Sequence, residues 1–345
     1  MRVVVVGATG NVGTSLLDAL ALDPEIEAVT GIARRVPELE FPKTEFVAAD
    51  IARDDLEPHF RGADAVVHLA WLIQPARDVD YLWRVNVGGS NRVFAAAAKP
   101  GVGALVYASS VGAYSPGPKN RTVDESWPTS GIRTSYYSLQ KAETERLLDR
   151  LEHEQPALRV VRLRPALIFK QESASEQRRL FLGPFFPRVL VKRIPFVPDI
   201  PRLRFQVVHS HDVGEAYRLA VRSDVRGAFN IASEPVLDPD ELARLLQARK
   251  VPVPAAVARS AAQASFRLHL QPADVGWVDM ALQTPLLDAA RARSELGWKP
   301  RRDAHGTLRD LLAGLQADTG LATPPLRRRS RLQELAGGVG TREAD

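Results

Sequence analysis

Residues 2–13 read Arg2-Val3-Val4-Val5-Val6-Gly7-Ala8-Thr9-Gly10-Asn11-Val12-Gly13. A short β-branched run that stops at glycine predicts a buried strand over Arg2 to Val6, and the amphipathic stretch from Val12 to Leu22 predicts a helix. Ala28 to Ala33 follows as a second strand, so the chain opens with a βαβ unit. Glycines between strand and helix permit a tight turn and let backbone N–H groups and the positive helix end approach a pyrophosphate. Gly7, Thr9, Gly10, Asn11, Val12 and Gly13 are therefore the first candidate dinucleotide contacts.

Outward from this unit the alternation continues. Strands are predicted at Glu45 to Ala48, Ala65 to Leu69, Ala104 to Ala108 and Leu158 to Leu163, with helices at Tyr81 to Ala98 and Ser135 to Glu154. Such alternation implies an α/β fold of Rossmann type, a doubly wound parallel sheet. After Pro165 the pattern breaks, and Gln171 to Arg204 is rich in Phe, Pro, Arg and Lys, the composition of an irregular segment around a pocket. A strand at Phe205 to Val208, an Asp212-x-x-Glu215 capping box opening a helix through Ala220, a strand at Gly227 to Ala232 and a helix at Pro239 to Leu246 follow. The expected organisation is a dinucleotide-binding domain over 1–165, rejoined by 205–235. A smaller C-terminal substrate-binding domain comprises 166–204 and 236–322. The stretch 323–345, with Arg327, Arg328, Arg329, Arg331, Gly337, Gly338 and Gly340, has a composition unlikely to pack and is expected to be a loose tail.

The 345 residues include no cysteine. That excludes a thiol nucleophile, a thiolate zinc site and cysteine-ligated iron-sulfur clusters, and it points to a cytoplasmic protein. Lys+Arg 46 against Asp+Glu 41 leaves a net +5, too thinly spread to indicate a nucleic-acid or membrane partner. Glycines interrupt the N-terminal apolar run too early for a signal peptide. The uncharged stretch between Lys99 and Lys119 is strand and loop by composition, not a membrane helix. His209 and His211 share one strand face beside Asp212, but they match a strand end and helix cap better than a metal site, so no metal is expected.

Tyr137 and Lys141 lie four residues apart on a predicted helix and so share one face. A cation beside the phenol favours phenolate and lowers a pKa that is about 10 unperturbed. Tyr136 has Gln140 at the same spacing, which singles out Tyr137 for proton transfer.

These motifs, with the glycine spacing G-x-x-G-x-x-G, resemble the extended short-chain dehydrogenase/reductase superfamily, the NAD-dependent epimerase/dehydratase family. Ala49-Asp50-Ile51 resembles its adenine-contacting segment, and His68-Leu69-Ala70-Trp71 the turn beside the nicotinamide ribose. Asn86-Val87-Gly88-Gly89-Ser90 resembles its next helix signature. Ser109-Ser110-Val111-Gly112-Ala113-Tyr114 resembles its Ser-Ser-x-x-x-Tyr motif, whose second serine is catalytic. Arg164-Pro165-Ala166 resembles a cofactor-contacting segment, with Phe169 and Lys170 where the family has Tyr and Gly. Val207 to Val213 and Leu296-Gly297-Trp298-Lys299-Pro300 resemble later motifs, so the likeness spans about Met1 to Leu315.

The resemblance implies Ser110, Tyr137 and Lys141 as a catalytic triad. Ser110 would hold the substrate oxygen, Tyr137 pass the proton, and Lys141 also bind the nicotinamide ribose. Gly7, Thr9, Gly10, Asn11, Val12, Gly13, Asp50, Ile51, Leu69, Ala70, Trp71, Asn86, Tyr137 and Pro165 would contact the cofactor. NAD-specific members carry an acid at the end of the second strand; here Ala33 stands there, followed by Arg34 and Arg35. Two guanidiniums suit a 2'-phosphate, so NADP is expected over NAD, with Arg34 the main contact and Arg35 its support. The implied reaction is NAD(P)-dependent oxidoreduction at a hydroxyl or carbonyl of a small molecule, plausible classes being a nucleotide sugar or a bulky alcohol. Alternatives are a 4-epimerase using the same triad and a non-catalytic dinucleotide sensor. A sugar dehydratase is disfavoured because Val111, Gly112 and Ala113 occupy the place of its acid pair. Arg178, Arg179, Lys192 and Arg193 could receive a diphosphate or be solvated surface. Trp71 is expected to narrow the pocket, and the family implies a homodimer.

Overall fold

The computed structural model describes residues 1–99, 101–185, 194–329, 333–334 and 338–340. Seven strands form one parallel sheet: β1 (Arg2–Val6), β2 (Ala28–Ala33), β3 (Thr44–Ala48), β4 (Ala65–His68), β5 (Ala104–Ala108), β6 (Arg159–Pro165) and β7 (Gly227–Ile231). Their spatial order is β7-β6-β5-β4-β1-β2-β3. Because the order reverses between β1 and β4, a crevice opens beyond the carboxyl ends of those two strands.

Both faces of the sheet are covered, which is why β1 reads as an uninterrupted valine run instead of an alternation. Val3 and Val5 pack with Leu16, Leu17 and Leu20 of α1 (Asn11–Leu22) on one face. Val4 and Val6 pack on the other with Val93 and Phe94 of α2 (Gly89–Ala97) and with Leu148 and Leu151 of α3 (Tyr136–Glu154). On the first face α1 also meets α4 (Ser210–Arg222). A Cβ at Gly214 would lie 2.6 Å from the Ser15 carbonyl oxygen, so glycine there permits the helices to touch backbone to backbone.

Three local expectations change. The helix begun at Val79 is capped by Asp78, whose carboxylate accepts Tyr81 N–H at 2.8 Å, and its turn over Arg84–Gly88 widens to π geometry around Asn86. Helix α4 is capped by His209, whose Nδ1 accepts His211 N–H at 3.2 Å, and not by Asp212. The Asp212 carboxylate instead accepts the N–H groups of Arg301 and Arg302 at 3.0 and 3.1 Å, and Trp298 Nε1 donates to the Asp212 carbonyl at 2.7 Å. Most importantly, the described part of 323–345 packs against the body. Thr323 and Leu326 are buried, and Glu334 forms a buried ion pair with Arg178. One apolar anchor and one paired carboxylate outweigh a composition that reads as solvated. Lys192, Arg193, Arg331 and Gly337 lie outside the described residues.

Candidate active site

A cleft of about 1240 Å³ begins at the crevice between β1 and β4 and continues toward the C-terminal part of the chain. At its start Gly7 adopts φ +91°, and a Cβ there would stand 2.6 Å from the Ala70 backbone nitrogen. A Cβ on Gly13 would come within 2.4 Å of the Gly7 carbonyl, whereas one on Gly10 would meet nothing nearer than 3.6 Å. Gly7 and Gly13 thus close the loop on itself, and Gly10 leaves its outer face open. Asn11 Nδ2 donates to the Ile168 carbonyl at 3.2 Å, while its Oδ1 is buried without a partner among the described residues. An open glycine cradle and an orphaned acceptor at a helix start fit a nicotinamide dinucleotide, whose phosphates and hydroxyls supply the missing partners.

Gly7, Gly10, Asn11, Val12, Gly13, Arg34, Arg35, Asp50, Leu69, Trp71, Ser110, Tyr137, Lys141 and Pro165 all line this cleft. Thr9, Ile51, Ala70 and Asn86 are not among its lining residues. Ile51 is buried where a Cβ on Gly89 would strike it, so it packs on α2. Asn86 Oδ1 accepts Leu72 N–H at 2.8 Å, and its Nδ2 donates to the Leu72 carbonyl at 2.8 Å and to Gln140 Oε1 at 2.9 Å. It pins the turn that carries Trp71. Arg164, too, is drawn away from the cleft, into the buried ion cluster described below.

At the inner end, α3 starts with Ser135 as its cap and presents Tyr137 and Lys141 toward the end of β5. Ser110 Oγ accepts Gly112 N–H at 3.0 Å, and its hydroxyl opposes part of the upward shift that burial imposes on the Tyr137 phenol. It therefore serves as a turn cap and still acts on the phenol. Its neighbour Ser109 is committed elsewhere, donating to Glu145. A Cβ on Gly112 would sit 2.9 Å from the Tyr137 ring, so that glycine makes room for it.

The expected effect of Lys141 on Tyr137 does not hold. Lys141 Nζ donates to the Ala108 carbonyl at 2.7 Å and to Tyr107 Oη at 3.3 Å, and lies 3.5 Å above the Trp71 ring centre but 6.0 Å from that of Tyr137. The ammonium is drawn to a strand-end carbonyl and an indole face, both better partners for it than a protonated phenol. Burial pushes Tyr137 up to about 12, the Ser110 hydroxyl opposing only part of that rise. Burial likewise pulls Lys141 well below the usual ammonium range. Tyr137 accordingly holds its proton at neutral pH.

Aromatic rings surround the phenol. Trp71 meets Tyr137 edge-on at 6.0 Å, Trp277 lies 5.0 Å away on another side, and Phe181 packs edge-on against Trp277 at 4.8 Å. Leu72, Leu180, Leu203, Phe205 and Met280 extend this apolar wall. Arg178 and Arg179, candidates for a diphosphate, are occupied: Arg178 pairs with Glu334, and Arg179 donates to the carbonyls of Pro325 and Arg327. Sequence reasoning missed Trp277, Phe181 and Glu176, whose carboxyl in the cleft is pushed up to about 7 by burial. Their elements are distant in the chain, and no local spacing connects them to Tyr137.

Behind the site is an ion cluster. The Glu145 carboxylate accepts Arg164 Nε and Nη2 at 2.8 and 2.9 Å and Arg162 Nη1 at 2.9 Å. Burial alone would raise this carboxyl, but Arg164 and Arg162 hold it down at about 2.

A family model of the NAD-dependent epimerase/dehydratase family matches residues 3–232. The chain belongs to that family. A 28% identical relative is an uncharacterised protein of Mycobacterium tuberculosis, aligned over 93% of this chain but only 31% of its own length. The chain thus spans about a third of the curated relatives it matches at that level. The decarboxylating sterol-4-alpha-carboxylate 3-dehydrogenase of Saccharomyces cerevisiae is 26% identical over 69% of this chain and 66% of its own. In structure, UDP-glucose 4-epimerase from Thermotoga maritima superposes with TM-score 0.69 at 19% identity, over 92% of this chain and 99% of that one. That likeness concerns the fold, including the parallel sheet. No helix among the described residues of this epimerase/dehydratase family chain is long and apolar enough to cross a membrane.

Proposed function

We propose that this chain catalyses hydride transfer between a nicotinamide cofactor, NADP(H) in preference to NAD(H), and the carbonyl or hydroxyl carbon of a bulky apolar molecule. The observation that carries this reading is the meeting of Ser110, Tyr137 and Lys141 inside an aromatic enclosure, at the inner end of a cleft that starts on the glycine loop. The bound nicotinamide supplies or accepts the hydride. Ser110 holds the substrate oxygen, and Tyr137, protonated at neutral pH, donates to that oxygen as it gains charge. Lys141 reaches the nicotinamide ribose from its place above Trp71. The rings of Trp71, Phe181 and Trp277 exclude water and stack on an apolar substrate.

Commitment of Arg178 and Arg179 to the chain's own groups leaves a nucleotide-sugar diphosphate without those two partners, which disfavours the epimerase reading. The sterol dehydrogenase relative, by its name, acts on a sterol-4-alpha-carboxylate, a bulky polycyclic substrate and not a nucleotide sugar. Initial rates with NADPH and a panel of aryl and polycyclic ketones, set beside UDP-hexoses, test the substrate class. Turnover of the ketones alone is expected; turnover of UDP-hexoses alone would overturn it.

Arg34 and Arg35 are exposed at the end of β2 and line the cleft. Neither makes a hydrogen bond or ion pair to another described residue, so both guanidiniums are available to a 2'-phosphate. Arg34→Ala is expected to weaken NADPH binding by about 1.5–3 kcal/mol, one to two decades in Kd, and to leave NADH unchanged. Calorimetric titration checks this, and equal NADPH affinity in both proteins would contradict it.

A further inference from the structure

Three segments far apart in the chain wall the aromatic end of the cleft: the turn after β4 with Trp71 and Leu72, the segment of Leu180 and Phe181, and the segment from Pro272 to Trp277. One side chain joins all three. Gln74 Nε2 donates to the carbonyls of Leu180 and Pro272, each at 3.1 Å, and its Oε1 accepts Ala76 N–H at 2.8 Å. The two carbonyls stand 106 and 198 residues further along the chain. Only one orientation of the amide serves, because turning it over would set its oxygen against both carbonyls and its NH2 group against an N–H.

The turn that carries Gln74 is itself fixed from behind. Asn86 holds Leu72 through both backbone groups, and Tyr136 Oη, at the start of α3 and next to Tyr137, donates to the Ile73 carbonyl at 2.9 Å. The Gln74 amide passes that fixed position to the opposite wall. Phe181 directly follows Leu180 and packs edge-on against Trp277 at 4.8 Å, and Trp277 lies 5.0 Å from Tyr137. A polar side chain among Leu72, Leu180 and Phe181 is costly unless it is paired. Here both donated bonds go to the backbone that carries the rings.

We propose that Gln74 is a positioning residue that sets substrate specificity, holding Phe181 and Trp277 at the separation from Trp71 and Tyr137 that admits a flat polycyclic molecule. The specificity rests on the hydride-transfer reading given above; the positioning does not.

Fluorine NMR of the full chain labelled with 5-fluorotryptophan reads the enclosure without substrate. The chain has five tryptophans, and Trp277→Phe assigns the resonance of Trp277. The native protein is set beside Gln74→Met, which fills the same space without polar atoms, and Gln74→Glu, which keeps the acceptor for Ala76 and loses both donors when ionised at about pH 8. Both variants are expected to move the Trp277 resonance and to leave in place that of Trp298, which is buried beside α4. Both should raise KM for polycyclic ketones about tenfold with kcat within about threefold of native, while KM for monocyclic ketones and the Kd for NADPH stay at native values. An unmoved Trp277 resonance in both variants would overturn the positioning, whatever the substrate proves to be. Displacement of Trp298 as well would mark Gln74 as a general structural residue and would also overturn it. A moved Trp277 resonance with KM rising equally for polycyclic and monocyclic ketones would overturn the specificity. Failure of the native chain to turn over any ketone would defeat the hydride-transfer reading and, with it, the specificity, and leave the resonances to decide the positioning.

Discussion

Tyr137→Phe is expected to lower kcat/KM for carbonyl reduction by about two to four decades while cofactor affinity stays at the native level. The substitution removes one oxygen and its proton and keeps the ring that Trp71 and Trp277 enclose. Loss confined to turnover therefore reports proton donation rather than a collapsed pocket. The pH dependence carries a definite sign. Burial holds the free protein's phenol at about 12, so the donor remains protonated and kcat/KM for reduction should be level from about pH 6 to about 9. Oxidation of the alcohol needs the phenolate and should rise over the same window. A reductive profile that falls near neutrality, or native activity in Tyr137→Phe, would remove Tyr137 from its assigned role.

Glu145→Ala should have the largest effect on stability. It leaves Arg164 and Arg162 buried with their central carboxylate gone, although Arg162 keeps Asp149 at 2.7 Å. Breaking such a pair costs about 3–5 kcal/mol, readable in urea denaturation; a loss below about 1 kcal/mol would contradict the account. The folded pKa is depressed, so the stabilisation is fully present above the unfolded value of about 4.3 and is lost as pH falls toward about 2. In the variant, this acid limb of the stability curve should flatten.

The fold was legible because its strands are short β-branched runs closed by glycine or a polar turn. Arg2–Val6, Ala28–Ala33 and Ala104–Ala108 fall where the pattern puts them. The position of Tyr137 and Lys141 on one helix was legible too, since a period of 3.6 residues determines it. Where the ammonium points was not: the Ala108 carbonyl and the Trp71 face come from other elements, and they win. The same holds for Arg162 and Arg164, whose alternation in β6 shows a shared face without revealing that Glu145 covers it. Asp212 has the spacing of a cap, but chain ninety residues downstream supplies the N–H groups it accepts. The packing of the described part of the C-terminal stretch was not legible for a related reason. Its composition is that of solvated chain, and its packing depends on Leu326 and on the partnership of Glu334 with Arg178, contacts that no local window contains.

The central claim is direct hydride transfer to the carbonyl carbon of an apolar substrate beside Tyr137. It is tested most directly by supplying NADPH deuterated at the transferable position, together with whichever aryl or polycyclic ketone the rate panel selects, and analysing the alcohol by mass spectrometry and NMR. The account predicts one deuterium per molecule, on the carbinol carbon and on a single face, formed by the native chain and at least a hundredfold more slowly by Tyr137→Phe, the lower end of about two to four decades. Product without the label, or labelled product formed equally fast by both proteins, would contradict it.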